Sequence, residues 1–316
     1  MIRTSPVVAP VVTSEDIGLL QRRIRALARR MNAVIVSHNY QRPEVQDVAD
    51  FVGDSLELAR RCAHTEAEVI VFCGVSFMAE NAVILNPSRQ VLLAEGTAGC
   101  PMADMIDDVD LREWRERYPG AAVVAYVNTT AAVKAESDIC CTSANAPRVV
   151  DSVHNDEVIF VPDENLARWV ARHTTKKIIP YPGFCITHRR LTPEQVRRAR
   201  QLHPGAPVVV HPECLPEVAD LADAVLSTSQ MVRYCRDSFA DTLLIGTEMG
   251  LLHRLQKECP GKTFFVLSPG LVCPNMKRTR LGGVLRTMEE RRNQVTIPEV
   301  VRVKAQQALE HMLEVA

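Results

Sequence analysis

Long apolar runs are missing from this chain. No stretch approaches the ~20 consecutive apolar residues that a membrane helix needs, so no membrane-spanning role is expected. An excess of one charge is missing too. Lys and Arg number 37 against 38 Asp and Glu, a formal net charge of −1. That balance argues against a dedicated nucleic-acid binder, while leaving room for a local basic pocket around a small anion. The segment Met1 to Val12 is interrupted by Pro6 and Pro10. It lacks the continuous apolar region and cleavage pattern of a secretory signal, so a cytoplasmic location is expected. Several catalytic signatures are also absent. There is no G-x-x-x-x-G-K-[ST], no G-x-G-x-x-G after a strand, no H-E-x-x-H and no G-x-S-x-G. Nucleotide hydrolysis, nicotinamide binding, zinc proteolysis and serine hydrolysis all lose support.

Cysteine is plentiful, but close pairing is not. The ten are Cys62, Cys73, Cys100, Cys140, Cys141, Cys185, Cys214, Cys235, Cys259 and Cys273. No pair is spaced Cys-x-x-Cys, which removes a zinc ribbon, a thioredoxin motif and a local ferredoxin run. A reducing cytosol disfavours a disulfide framework, so most of these thiols read as small buried hydrophobes. Any metal site must be assembled from distant positions. Cys185-Ile186-Thr187-His188 is a Cys-x-x-His pair, weak evidence for zinc on its own.

With 316 residues, 47% of them hydrophobic, the chain exceeds what one core usually supports. Two or three compact units, or one large barrel, are the expectation. An internal repeat refines it. Three short apolar runs lead into polar clusters at His38, Tyr126 and His211, spaced 88 and 85 residues apart. Seventeen residues after each anchor stands a hydroxyl: Ser55, Ser143 and Thr228. Two further apolar runs follow in each repeat, the last ending near Cys100, Cys185 or Cys273. The hydroxyl-to-cysteine spacings are 45, 42 and 45. Short β-branched runs alternating with helical patterns favour parallel sheets. An eight-stranded barrel would also repeat in this way. The shared register of anchors, hydroxyls and cysteines favours three similar α/β domains with parallel sheets, related by pseudo-threefold symmetry around a central active site. Functional groups gather beyond the carboxyl ends of such strands.

The expected organisation is a flexible tail over 1–13, an N-terminal helix over 14–31, α/β domains over 32–105, 106–190 and 191–280, and a C-terminal helical segment over 281–316. Ile17, Leu20, Ile24, Leu27 and Met31 share one face of the first helix. Pro298 starts a helix over 298–314, with Val301, Ala305, Ala308 and Met312 along a face.

Three constellations can carry chemistry. Cys100, Cys185 and Cys273 would suit an iron–sulfur cluster with one open iron, or a zinc site with three cysteine ligands; unrelated buried cysteines are the bland alternative. His38, Tyr40, Tyr126, Asn128, His188, His211 and Glu213 supply proton transfer and oxyanion support. Glu213, lodged after an apolar strand, is a candidate general acid/base. The third constellation is a set of hydroxyls at helix starts: Ser55, Ser143, Ser227 and Thr228. Helix N-termini offer free N–H groups, and three in register suit a small polyanionic substrate held from several sides.

The chain resembles the quinolinate synthases over about residues 14 to 315. The resemblance rests on ordered motifs spread along the chain. They are Ser37-His38-Asn39-Tyr40-Gln41, Gly53-Asp54-Ser55-Leu56, Cys100-Pro101-Met102-Ala103, Tyr126-Val127-Asn128-Thr129 and Lys134-Ala135. Further on come Thr142-Ser143-Ala144-Asn145-Ala146, Pro162-Asp163, His211-Pro212-Glu213-Cys214, Ser227-Thr228, Ile245-Gly246-Thr247-Glu248 and Cys273-Pro274-Asn275-Met276-Lys277. The resemblance implies three α/β domains and a [4Fe–4S] cluster, with ligands matching Cys100, Cys185 and Cys273 and one iron left for substrate. It implies condensation of iminoaspartate with dihydroxyacetone phosphate to quinolinate, with loss of phosphate and water. Iminoaspartate would come from L-aspartate oxidase, so a transient contact with that oxidase is a further implication. Active-site positions would be His38, Tyr40, Ser55, Tyr126, Asn128, Ser143, His188, His211, Glu213, Ser227 and Thr228. Some members carry Cys-x-x-Cys-x-x-Cys at the third ligand; here Met276 and Thr279 follow Cys273 at those spacings, so no local disulfide can form there. We expect Glu213 and Tyr40 to transfer protons with His38 assisting, and Tyr126, Asn128, Ser143, Ser227 and Thr228 to hold the anionic groups. Two rival readings remain: a zinc-dependent α/β-barrel lyase or aldolase using His38, His188 and His211, and an iron–sulfur sensor without turnover.

Overall fold

A computed structural model describes residues 14–315; the tail expected over 1–13 lies outside the described residues. The strands form three four-stranded parallel sheets. The first contains β1 (Ala33–His38), β2 (Phe51–Gly53), β3 (Val69–Cys73) and β4 (Gln90–Leu93). The second contains β5 (Ala122–Tyr126), β6 (Ile139–Cys141), β7 (Glu157–Val161) and β8 (Lys177–Pro180). The third contains β9 (Val208–Val210), β10 (Ala224–Val225), β11 (Thr242–Gly246) and β12 (Thr263–Val266). Their orders, β2-β1-β3-β4, β6-β5-β7-β8 and β10-β9-β11-β12, are the same order repeated. The strands therefore do not close into the eight-stranded barrel that the periodicity alone also allowed.

The inner strands read as continuous apolar runs because both faces are covered. β3 and β5 are buried along their whole length. One side chain pins each edge strand in the same way. Asp50, Asp138 and Asp223 precede β2, β6 and β10. Their carboxylates accept the backbone N–H of Ile35 at 2.8 Å, Val123 at 2.7 Å and Val208 at 2.7 Å. The repeat thus extends to a bond that fixes register at the start of each sheet.

The helix Ser14–Arg30 packs with Leu281–Glu290 on one face of the first sheet, burying Ile24 and Ala28 with Val69, Val71 and Val284. Ile24 is fully buried, and truncating such a side chain to Ala costs about 2–5 kcal/mol. The helix Glu299–Val315 goes elsewhere. It buries Ala305, Ala308, Leu309 and Met312 against the helix Ala131–Ala135 and β6, in a core that runs from the first sheet to the second. The C-terminal segment therefore serves two units. Among the described residues no helix is long and apolar enough to cross a membrane.

Candidate active site

The carboxyl ends of the first strand in each sheet deliver the three anchors. β1 ends at His38, β5 ends at Tyr126, and His211 follows β9. Each is followed two residues later by another polar side chain: Tyr40, Asn128 and Glu213. The two histidine loops close identically. The N–H of Tyr40 donates to His38 Nδ1 at 3.2 Å, and the N–H of Glu213 donates to His211 Nδ1 at 3.3 Å. With Nδ1 accepting, each neutral ring carries its proton on Nε2. Burial pushes both imidazoles down to about 3, so both are neutral near pH 7.

The cysteine loops follow the fourth strands, and they too share a form. The carbonyls of Cys100, Cys185 and Cys273 accept the N–H four residues on, from Asp104 at 3.1 Å, Arg189 at 3.0 Å and Lys277 at 3.2 Å. Each leads into one 3-10 turn: Ala103–Met105, His188–Arg190 and Met276–Arg278. These three cysteines are partly exposed and line one cavity; the other seven are buried, and none lines it.

That cavity also takes in His38, Tyr40, Ser55, Tyr126, Asn128, Ser143, His188, His211, Glu213 and Thr228. Side chains from all three sheet units therefore meet there. Ser227 does not line it. Its hydroxyl caps the helix Thr228–Asp237 by accepting the N–H of Gln230 at 3.4 Å. Ser55 and Thr228 are the first residues of their helices, and Thr228 Oγ1 accepts from Asn39 Nδ2 at 2.8 Å. Ser143 sits in the turn before the helix Ala146–Ser152.

A hydrogen-bonded chain crosses the site. Tyr126 Oη donates to Glu213 Oε1 at 2.6 Å. Glu213 Oε2 lies 2.7 Å from His188 Nδ1. His188 Nε2 lies 2.9 Å from Thr247 Oγ1, which lies 2.6 Å from Tyr40 Oη. One assignment satisfies every donor: Tyr40 to Thr247, Thr247 to His188 Nε2, His188 Nδ1–H to Glu213. His188 also stacks on His211 with ring centres 4.6 Å apart. Burial opposes ionisation of Glu213. The imidazoles of His211 and His188, with the hydrogen bonds from His188 and Tyr126, outweigh it and hold this carboxyl below the ordinary range. Burial, then Glu213, pushes the Tyr40 and Tyr126 phenols well above theirs. The Glu213 carboxylate thus accepts from a phenol, Tyr126, that burial keeps neutral. Asn128 Oδ1 is buried without a hydrogen-bond partner, an acceptor with spare capacity on the cavity wall.

Three buried residues that support this site appear in the sequence motifs but were given no role there. Thr247 bridges Tyr40 and His188. Asp163 Oδ2 accepts the N–H of Cys185 at 3.0 Å, and Glu248 Oε1 accepts that of Cys273 at 3.1 Å. All three are fully buried. Their signal was register: Asp163 and Glu248 each stand two residues beyond β7 or β11.

The donor set fits a metal centre. Burial pushes the Cys100 thiol up to about 12 and raises those of Cys185 and Cys273. Such thiols stay protonated unless a cation replaces the proton, and thiolate is the ligating form. Among the described residues, one trio brings its ligand atoms within 4.8 Å of one another: Cys185, His188 and Glu213. The three cysteine sulfurs do not form such a trio, which a single Zn²⁺ with Zn–S bonds of about 2.3 Å would require. A multi-iron centre, in which each cysteine binds its own iron, has no such requirement. The histidine trio of the zinc-lyase reading is likewise not drawn to one point.

The family model described as quinolinate synthetase A protein matches residues 22–314. A quinolinate synthase of Methanoregula boonei is 56% identical over 299 residues, covering 95% of this chain and 99% of its own. One from Dehalococcoides mccartyi strain 195 is 54% identical over 297 residues, 94% and 98% of the two chains. One from Thermodesulfovibrio yellowstonii is 54% identical over 291 residues, 92% and 96%.

Proposed function

Because this chain belongs to the quinolinate synthase family, enzymes of NAD biosynthesis, we propose that it condenses iminoaspartate with dihydroxyacetone phosphate to quinolinate, releasing phosphate and water. One observation carries the reading. The cysteines in repeat register are the ones that open onto the cavity with Glu213 and Tyr40, while the other seven are buried. Cys100, Cys185 and Cys273 would hold a [4Fe–4S] cluster, one from each of three domains over 32–105, 106–190 and 191–280. These domains would stand in pseudo-threefold symmetry around the site. When bound, a cluster with one iron free of protein ligands supplies Lewis-acid help for loss of hydroxyl groups.

The chain's own residues do the rest. Glu213 is the base: its carboxylate already holds two donors, and an added proton can rest on either oxygen. Tyr40 and Tyr126 act as neutral donors, since burial keeps them from ionising. His38, neutral with its proton on Nε2, orients a substrate oxygen. His188 links Glu213 to Thr247 and so to Tyr40. Asn128, Ser143, Ser55, Thr228 and His211 bind the carboxylates and phosphate through their side chains, since Asp54 already takes the N–H groups of Leu56 and Glu57 and Ser227 that of Gln230. Ser227 contributes by capping the helix that carries Thr228. The work is assigned to the cytoplasm, where thiol ligands stay reduced, with iminoaspartate handed over by L-aspartate oxidase in transient contact.

The test is anaerobic purification, iron and sulfide analysis, and incubation with dihydroxyacetone phosphate and freshly generated iminoaspartate. A brown protein that forms quinolinate is the expected result. A colourless zinc protein without quinolinate would favour the lyase reading. A brown protein without turnover would favour the sensor.

A further inference from the structure

The three cysteine loops are built on one backbone plan. In each unit, the residue three beyond the third strand donates its N–H to the carbonyl two residues before the cysteine. The pairs are Ser76 to Ala98 at 2.8 Å, Glu164 to Gly183 at 2.8 Å and Met249 to Leu271 at 2.9 Å. The residue just before each donor is where the units part. It is Val75 in the first, Asp163 in the second and Glu248 in the third. Asp163 Oδ2 accepts the N–H of Cys185 at 3.0 Å while Oδ1 accepts that of Leu166 at 2.7 Å. Glu248 Oε1 accepts the N–H of Cys273 at 3.1 Å while Oε2 accepts that of Gly250 at 2.7 Å. Lys277 Nζ lies 2.9 Å from Glu248 Oε1. Val75 offers no acceptor, and the Cys100 loop is held from outside, by Asn275 Nδ2 on the carbonyl of Gly99 at 2.8 Å.

Burying a carboxylate is unfavourable unless it is fully bonded. Helix capping does not by itself explain Asp163, because Asn or Ser caps as well without the charge. What Asn cannot do is accept on both terminal atoms: its amide nitrogen would point a donor at the N–H of Cys185. Two acceptors are needed because the cysteine loop must be tied as well as the helix.

We propose that Asp163 and Glu248 are positioning residues for the metal centre. They fix the main chain at Cys185 and Cys273 so that both sulfurs present to the cavity. This rests on the cluster reading given above. Residues that orient metal ligands contribute about 10- to 100-fold in metal affinity.

The test uses anaerobically purified full-length parent, Asp163→Asn, Glu248→Gln and the control Glu164→Gln. Glu164 is the neighbouring carboxylate, on the helix surface and paired with Arg168 and Arg189. Iron and sulfide per chain, the rate of iron loss to a ferrous chelator, and far-ultraviolet circular dichroism are measured. Both test variants should lose iron at least ~10-fold faster than parent, with unchanged dichroism. The control should match parent. If both test variants hold iron as the control does, the proposal is overturned. Should Asp163→Asn fail to fold, Glu248→Gln carries the test alone, since its carboxylate bonds a loop N–H and caps no helix by side chain. A parent that takes up no iron or sulfide defeats the cluster reading itself, and this proposal with it; that outcome is distinct from intact clusters in every variant.

Discussion

Glu213→Gln is the sharpest perturbation of this site. The carboxylate accepts from Tyr126 at 2.6 Å and sits 2.7 Å from His188 Nδ1. The amide keeps the shape but offers one acceptor and one donor group. If its oxygen keeps Tyr126, its nitrogen faces His188, which must switch tautomer and reverse the link through Thr247. If its oxygen keeps His188, the Tyr126 hydroxyl loses its partner. Either way about 1–3 kcal/mol of stability is lost, the range for one unsatisfied buried group, and the fold survives. The kinetic effect should be larger. A positioned acid/base contributes about 10²–10⁴-fold, which is about 2.7–5.4 kcal/mol of barrier. Quinolinate formation should therefore fall by that factor while iron content and substrate binding persist. An intermediate should accumulate and change the visible spectrum. Turnover near the parent rate with an intact metal centre would refute the reasoning, and proton transfer would pass to Tyr40 or His38.

Replacing Cys100, Cys185 or Cys273 with Ala should each abolish the metal centre and activity, whereas the seven buried cysteines should tolerate Ser or Ala with iron retained; a centre that survives loss of Cys185 would break the assignment. Thr247→Val should lower turnover about tenfold or more by stripping the shared partner from Tyr40 and His188, a loss of about 1–3 kcal/mol; Thr247→Ser should restore it, and equal rates for both variants would count against the bridge. Burial holds His38 and His211 down to about 3 from an ordinary 6.5, so between those values the unfolded chain binds protons that the native chain does not. Stability should fall as pH drops below about 6.5, by up to about 1.4 kcal/mol per pH unit for each imidazole. Urea unfolding of the metal-free protein at several pH values checks this, and a flat profile would contradict it.

The sheets were legible because their strands are buried on both faces and so carry unbroken apolar runs. The anchors were legible for a different reason: polar residues after such runs mark the carboxyl ends of strands. The packing of the terminal helices was not. An apolar stripe on the helix Glu299–Val315 says that one face is covered, but not that the cover is the helix Ala131–Ala135 rather than the neighbour in sequence. Ser227 was read as an anion donor because a hydroxyl at a helix start serves equally as cap and as ligand; here it accepts the N–H of Gln230 and stands outside the cavity lining. Thr247 went unread because a threonine after a strand has no chemical signature until its two partners, from the first and second units, are seen beside it.

Comparing the copies separates scaffold from chemistry. Where the three units agree, the shared feature builds the frame: the aspartate that pins each edge strand, the cysteine, and the backbone bond that closes its loop. Where they differ, a single cavity gains unlike groups at equivalent places. The positions two beyond the anchors hold Tyr40, Asn128 and Glu213; the first residues of the 3-10 turns are Ala103, His188 and Met276. An amide cannot take up a proton in this range, and a buried phenol does not readily give one up. Of the three side chains beyond the anchors, only Glu213 stands ionised near neutral pH with a charge that can receive a proton. His188, unique at its own position, contacts that carboxylate directly. On the proposed assignment the base stands in the third unit, and the imidazole that contacts it, His188, comes from the second.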